Sequence, residues 1–267
     1  MPQLVICDID ATLVNEKKEL TPRTKEALIK LHEKGIYFGI ASGRPVDELK
    51  RNKERWDLPF DFDFVMGMNG AELWDGVHQK FYSYFMMEKE WLKETMEIMN
   101  VVECNPMVYW KGKIRCVRID DWMIHSASTS HKELEIVRLE DLYANENAKI
   151  MFRMKEEDMS KAEAWVKAHP NPYYHGFKTQ TTLLEFCDKR INKGYGLQKI
   201  CELNDMDLKD VMAFGDTSND NEMLKVAGCG VCMINGTDDT KACANAITTY
   251  DNDHDGLAIY LEESEIV

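Results

Sequence analysis

Apolar residues gather along this chain in short, nearly unbroken runs: Leu4-Val5-Ile6-Cys7, Ile36 to Ala41, Phe64 to Met68, Val211 to Phe214 and Cys229 to Met233. Runs of four to six residues rich in β-branched and aromatic members read as strands, and runs without polar alternation read as strands covered on both faces. Between the first two runs, Thr21-Pro22 predicts an N-cap and a first helical position. Ala27, Leu28 and Leu31 supply the buried side of that helix, and Gly35 ends it. Strand, helix and strand within the first forty residues form a βαβ unit, so the pattern predicts a parallel sheet. Pro45 predicts the opening of another helix, and Asp75-Gly76 a tight hairpin turn between Glu72-Leu73-Trp74 and Val77-His78-Gln79.

From Phe81 to Cys187 the rhythm changes. Trp91, Leu92, Thr95, Met96 and Met99 mark one side of a helix over Glu88 to Asn100. Met107 to Trp110 and Ile114 to Ile119 read as strands about Lys111-Gly112. Ile150 to Met154 reads as a further strand, Asp158 to His169 as a helix and Thr182 to Phe186 as a closing strand. Hairpins and helices without βαβ order predict an α+β module inserted into the first domain. The doubly wound rhythm resumes with a helix from Asn192-Lys193-Gly194. Helices over Asn221 to Ala227 and Thr237 to Ala244 follow, and a last helix starts at Gly256. The expected architecture is therefore α/β: a doubly wound parallel-sheet core over 1–81 plus 189–267, with an α+β cap over 82–188.

Composition narrows the partners. The formal charge is −14, from 33 basic and 47 acidic residues, and no broad basic face is available for nucleic acid or an anionic membrane. Any anionic substrate has to be held by local devices. No apolar run approaches membrane-spanning length, and charged residues arrive as early as Asp8, which argues against a leader. Eight scattered cysteines read as reduced core residues, which suits a cytoplasmic protein. Cys229-Gly230-Val231-Cys232 has redox spacing but lies in an apolar run.

Chemistry gathers where strands end. Asp8 and Asp10 follow the first strand two apart, so their side chains point the same way and Ile9 points the other. A lone Asp-x-Asp is ordinarily a strand end in a solvated turn. Three further loops change that. Ser42-Gly43 follows the second strand, with small residues that expose N–H groups. Asp216, Asn219 and Asp220 follow the strand ending at Phe214, and Lys193 opens a helix of the same domain. In an open parallel sheet, loops at the carboxyl ends of the strands meet over one crevice. Carboxylates from two strand ends suit Mg²⁺, while a lysine, a hydroxyl and amides suit a doubly charged tetrahedral anion.

Four motifs in this order resemble the haloacid dehalogenase superfamily of phosphohydrolases, and more closely its Cof-type subgroup. They are Asp8-Ile9-Asp10-Ala11-Thr12-Leu13, Ser42-Gly43-Arg44-Pro45, Asn192-Lys193-Gly194 and Gly215-Asp216-Thr217-Ser218-Asn219-Asp220. Asn69-Gly70-Ala71 and Asp253-His254-Asp255-Gly256-Leu257 also resemble the subgroup. The resemblance implies a Rossmann-like core and a Mg²⁺-dependent phosphatase acting on sugar phosphates or other small phosphorylated metabolites. It makes Asp8 the nucleophile that forms an aspartyl-phosphate and Asp10 the general acid and base. Asp8, the backbone carbonyl of Asp10, and Asp216 would hold the metal. Ile9 and Gly43 amides, Ser42, Lys193 and Asn219 would hold the phosphoryl group, with Asp220 orienting Lys193 or a metal-bound water. In the cap, Arg118, Trp110 and His175 head the candidates for the leaving group, ahead of Trp122, His125, Tyr173 and Tyr174.

The chain departs from the family pattern at Ala11, where glycine is usual. If that residue needs φ > 0, its Cβ costs about 1 kcal/mol. Two other readings follow: a phosphosugar mutase or phosphotransferase on the same scaffold, and a catalytically silent phosphometabolite-binding protein. Isomerised monophosphate in place of free phosphate marks the first. Metal binding without turnover marks the second.

Overall fold

The computed structural model describes residues 1–267. The chain forms two compact units, one from Met1–Tyr82 with Ile191–Val267 and the other from Ser83–Arg190. No helix is long and apolar enough to cross a membrane.

The larger unit begins with β1 (Leu4–Asp8), α1 (Pro22–Glu33), β2 (Tyr37–Ala41), the short helices α2 (Val46–Leu49) and α3 (Asn52–Arg55), β3 (Phe64–Gly67), β4 (Glu72–Asp75) and β5 (Lys80–Ser83). Thr21 caps α1, its hydroxyl accepting from the Thr24 amide at 3.2 Å, and Ala27, Leu28 and Leu31 are buried. A helix does open at Pro45, as expected, with the Glu48 and Leu49 amides donating to its carbonyl at 3.1 Å. Pro45 is the extended N-cap of the one-turn α2. The hairpin is wider than the Asp75-Gly76 turn expected from sequence, because its second arm starts at Lys80 rather than Val77. Fully buried Asp75 explains this, since its carboxylate accepts from the His78 amide at 2.9 Å and from Asn204 Nδ2 at 3.1 Å. A carboxylate that deep needs those partners, and they spread the turn over Gly76 to Gln79.

The smaller unit contains α4 (Lys89–Met99), β6 (Cys104–Trp110), β7 (Lys113–Cys116), α5 (Asp121–Ser130), β8 (Glu133–Ile136), α6 (Leu139–Leu142), β9 (Lys149–Met154), α7 (Glu156–Ala168), β10 (Tyr174–Gln180) and β11 (Leu183–Asp188). Its sheet runs β10-β11-β9-β6-β7-β8, antiparallel except for the β7/β8 pair. Ile150, Phe152 and Met154 alternate onto one face, with Leu92, Met96 and Met99 of α4 and Met159 and Ala162 of α7. The second strand expected up to Ile119 stops at Cys116, because Asp120 caps α5 by accepting from the Met123 amide at 2.9 Å. α5, β8, α6 and β10 have no counterpart in the sequence reading. β8 and β10 are the sheet's two edges, so they are largely exposed and carry few apolar residues to announce them. Lys189 and Arg190 stay with this unit, where Arg190 donates to Asp188 from its amide, Nε and Nη2.

The chain then returns to the larger unit through α8 (Lys193–Leu203), β12 (Val211–Gly215), α9 (Asn221–Val226), β13 (Cys229–Cys232), α10 (Asp238–Cys243), β14 (Ala246–Ile247) and α11 (Gly256–Glu263). The completed sheet runs β14-β13-β12-β1-β2-β3-β4-β5, parallel from β14 through β3. β1 lies between β2 and β12, with Asp8 beside Ala41 and Cys7 beside Phe214. Chain order reverses there, which is where a doubly wound sheet opens a crevice at its strand ends. All eight cysteines are free.

Candidate active site

The crevice is built around a buried ammonium. Lys193 is the first residue of α8 and is fully buried. Asn192 starts this helix by accepting from the Tyr195 amide at 2.8 Å. The helix end is pressed onto its neighbours: a Cβ on Gly194 would stand 2.6 Å from the Glu222 carbonyl oxygen. So held, Lys193 Nζ donates to Asp8 Oδ1 and, at 2.5 Å, to Asp220 Oδ1. The second Asp220 oxygen accepts from the amides of Asp216 at 3.0 Å and Thr217 at 3.2 Å. The Thr12 hydroxyl donates to Asp216 Oδ1 at 2.8 Å. Thr12 thus gains a role that the sequence reading had not given it.

Oxygens of Asp8, Asp216 and Asp220 lie within 4.8 Å of one another, all on buried residues. Three carboxylates against one ammonium leave a formal charge of −2 in this space. Burial lifts the Asp8 carboxyl to about 8, with Lys193 opposing and Asp220 and Asp216 adding to the rise. Burial likewise lifts Asp216 to about 6 against the Thr12 hydrogen bond. For Lys193, burial works against the ammonium, but Asp220 and Asp8 outweigh it and hold the group above the ordinary lysine value. A hard divalent cation would neutralise the excess charge and take oxygen ligands from these acids, so the donor set fits a divalent metal.

Asp10 behaves differently. Its side chain is 39% exposed and meets Arg44 Nη2 at 3.1 Å and Lys18 Nζ at 2.9 Å. Burial opposes its ionisation, yet Arg44 and Lys18 together keep its carboxyl below the usual range. Asp10 is therefore an ionised group held between two cations. Its neighbour Ile9, just beyond the end of β1, is buried in the core. Ala11 has φ +60°, and its carbonyl accepts from Asn235 Nδ2 at 2.8 Å. The loop thus keeps the left-handed geometry without glycine. The Asp253 to Gly256 stretch braces the same segment: Asp253 accepts from the Glu16 amide at 2.7 Å, and Asp255 accepts from the Thr21 hydroxyl.

On the neighbouring strand end, Ser42 is buried and its hydroxyl accepts from the Arg44 amide at 3.3 Å. A Cβ on Gly43 would stand 3.4 Å from the Asn69 amide group. Asn219 Nδ2 donates to Asn69 Oδ1 at 3.4 Å, so Ser42, Gly43 and Asn219 share one neighbourhood.

The smaller unit's candidates do not share one. Arg118 is occupied by Glu103 at 3.4 Å and Asp120 at 3.6 Å. Trp110 lies under the Arg115 guanidinium at 5.1 Å, and His175 Nε2 faces Cys187 Sγ at 3.4 Å. Tyr173 is exposed and stacks on Trp91 at 5.1 Å, while Tyr174 is buried with its hydroxyl donating to Glu94 at 3.0 Å. A polar pair not foreseen from sequence, Lys149 and Glu185 at 2.9 Å, is buried in the same unit's sheet.

Comparison with known proteins agrees with this geometry. The sequence model of the haloacid dehalogenase-like hydrolase family matches residues 5–261. The chain is 27% identical over 272 residues to the 5-amino-6-(5-phospho-D-ribitylamino)uracil phosphatase YitU of Bacillus subtilis (strain 168), covering 98% of this chain and 97% of that one. It is 26% identical over 260 residues to YcsE of the same organism, which carries the same activity in its name, covering 96% and 93%. Among solved structures, a haloacid dehalogenase-like hydrolase from Bacteroides thetaiotaomicron superposes with a TM-score of 0.88 at 25% identity, covering 99% of this chain and 100% of that one. With its parallel sheet, its buried lysine and its acidic strand-end cluster, the chain belongs to the haloacid dehalogenase-like hydrolases and is a phosphoric monoester hydrolase of the Cof type.

Proposed function

We propose that the protein is a Mg²⁺-dependent phosphatase that releases inorganic phosphate from a primary alcohol at the end of a polyhydroxylated chain, through an aspartyl-phosphate on Asp8. The observation that carries this reading is the buried set of Asp8, Asp216, Asp220 and Lys193 at the strand ends, with its uncompensated negative charge. The leaving-group class is supported by the relatives YitU and YcsE, whose names give a phosphate on a ribityl chain. The smaller unit, in this reading, selects the leaving group, with Arg118, Trp110 and His175 as candidate contacts.

In the first step, an Asp8 carboxylate oxygen bonds to phosphorus as the phosphorus–oxygen bond to the alcohol breaks, and Asp10 gives its proton to the departing oxygen. In the second, Asp10 takes a proton from the attacking water. Phosphate leaves, and the Asp8 carboxylate is regenerated. Lys193 balances the charge of Asp8 and of the phosphoryl oxygens throughout. Ser42, the amides of Ile9 and Gly43, and Asn219 donate to those oxygens. A magnesium ion held by Asp8, the Asp10 carbonyl and Asp216 would offset repulsion between the nucleophile and the phosphate dianion. Asp220 orients Lys193. The ionised state of Asp10 in the free protein is the form needed for the second step, and a bound phosphate dianion would favour the protonated form needed for the first.

The test is turnover of a panel of pentose, hexose and polyol phosphates with Mg²⁺ and with chelator, followed by acid quench and mass spectrometry. The expected result is metal-dependent phosphate release and one added phosphoryl group on the peptide carrying Asp8. Turnover with label on another residue would overturn the mechanism. Metal binding without any phosphate release across the panel would favour the silent binding protein instead.

A further inference from the structure

The turn after β3 carries more left-handed backbone than a turn requires. Met68, Asn69 and Gly70 take φ of +50°, +55° and +102° in succession. Two of the three bear side chains, in a region that glycine fills without cost. Non-glycine residues held there in series need a surrounding structure that dictates them, and such stretches gather at functional sites. The surroundings are well defined here. The Met68 amide donates to the Arg44 carbonyl at 2.9 Å and the Asn69 amide to the Ser42 carbonyl at 3.0 Å, so the turn is laced to the loop after β2. Gly70 is packed so closely that a Cβ would meet the Asn192 carbonyl oxygen at 2.5 Å, one residue before Lys193.

The Asn69 side chain then sits among the anion-binding candidates. The Thr217 hydroxyl donates to Asn219 Oδ1 at 2.7 Å, which makes the other end of that amide the donor. Asn219 Nδ2 donates to Asn69 Oδ1, which in turn makes the free end of the Asn69 amide a donor. Both ends of the Asn69 amide, Nδ2 included, lie 3.4 Å from where a Gly43 Cβ would project, so a larger residue at position 43 would crowd it. The relay from Thr217 through Asn219 to Asn69 thus ends on an N–H group beside the Ser42-Gly43 loop.

We propose that Asn69 is a phosphate-binding residue: its carbonyl oxygen fixes the Asn219 amide, and its Nδ2 donates to a phosphoryl oxygen alongside Ser42 and Gly43. This rests on the phosphatase reading of the site and adds a donor from a fifth loop. A turn-forming role alone would be met equally well by glycine at this position.

The difference is measurable on the Mg²⁺-loaded enzyme, with inorganic phosphate as competitive product inhibitor. Asn69→Gly keeps the backbone geometry and removes the amide. Asn69→Asp keeps shape and left-handed tolerance but replaces the donor with a charge that repels the anion. The expected result is a phosphate Ki and a KM about tenfold higher for Asn69→Gly and higher still for Asn69→Asp, with unfolding temperatures within a few degrees of wild type. Ki and KM within twofold of wild type in Asn69→Gly would overturn the proposal. If Ser42→Ala weakens phosphate inhibition while Asn69→Gly leaves it intact, the pocket stands and the role of Asn69 falls. Failure of phosphate to inhibit the wild-type enzyme at all would overturn both readings.

Discussion

Ala11 occupies φ +60° with a Cβ where the loop could have used glycine. Left-handed backbone costs a side-chain-bearing residue about 1–2 kcal/mol, and the extra freedom of glycine in the unfolded chain returns about 0.4–1. Ala11→Gly is therefore expected to stabilise the protein by about 0.5–1 kcal/mol in a urea titration, with turnover retained. A loss of stability would mean that the Cβ makes a compensating contact. Asp8 lies at the opposite extreme, where chemistry and not conformation is at stake. On the proposed mechanism, Asp8→Asn removes the nucleophile's charge without changing its shape, and turnover should fall on the order of 10⁴-fold or more. The variant should fold as well as wild type, because one of three crowded carboxylates has lost its charge. Undiminished phosphate release from it would exclude the covalent route.

The elements that build the site are those whose sequence signals are strongest. β1 and β12 are buried at every position and β2 at all but its first, and their apolar runs announce them without ambiguity. The turn after β3 matters more than its length suggests, since it spans the gap between the Ser42 loop and the start of α8. Gly70→Ala would place a Cβ 2.5 Å from the Asn192 carbonyl oxygen at φ +102°. Both effects act together, so a loss of about 2 kcal/mol or more in chemical denaturation is expected. Turnover should fall with it, because Asn192 and Lys193 must shift. An unchanged midpoint would show that the helix end yields freely. The smaller unit follows the opposite rule: its edge strands β8 and β10 and its Ser-rich helix α5 carry weak apolar periodicity, and packing against the sheet decides them.

For the molecule as a whole, the acidic cluster couples stability to pH and to metal. Burial lifts the carboxyls of Asp216 and Asp8 to about 6 and about 8 in the metal-free fold, above the ordinary value of 3.8. The folded state therefore holds more protons than the unfolded one between these limits, and metal-free stability should fall as pH rises through 6 and 8. A cation that binds the ionised carboxylates reverses the penalty. The rise in unfolding temperature on adding Mg²⁺ is thus expected to be small at pH 5 and largest near pH 8, readable by scanning fluorimetry. A rise that is equal or greater at pH 5 would argue against metal binding by these acids. The overall charge of −14 opposes the approach of any phosphate, so the proposed site has to hold its anion by local cations and amides.

By itself the sequence determined the doubly wound core, the four loops proposed to carry the chemistry and the residue types within them. Those features are written in contiguous runs and fixed spacings, and a buried parallel strand has to be apolar wherever it lies. Only the tertiary structure decided what those residues do to one another. It set Lys193 between Asp8 and Asp220, turned Asp10 toward Arg44 and Lys18, gave Thr12 to Asp216, and brought Asn69 to Asn219 across 150 positions. Such pairings depend on where strands end in space and on which neighbour can satisfy a buried charge, and neither is written in any local stretch of the chain.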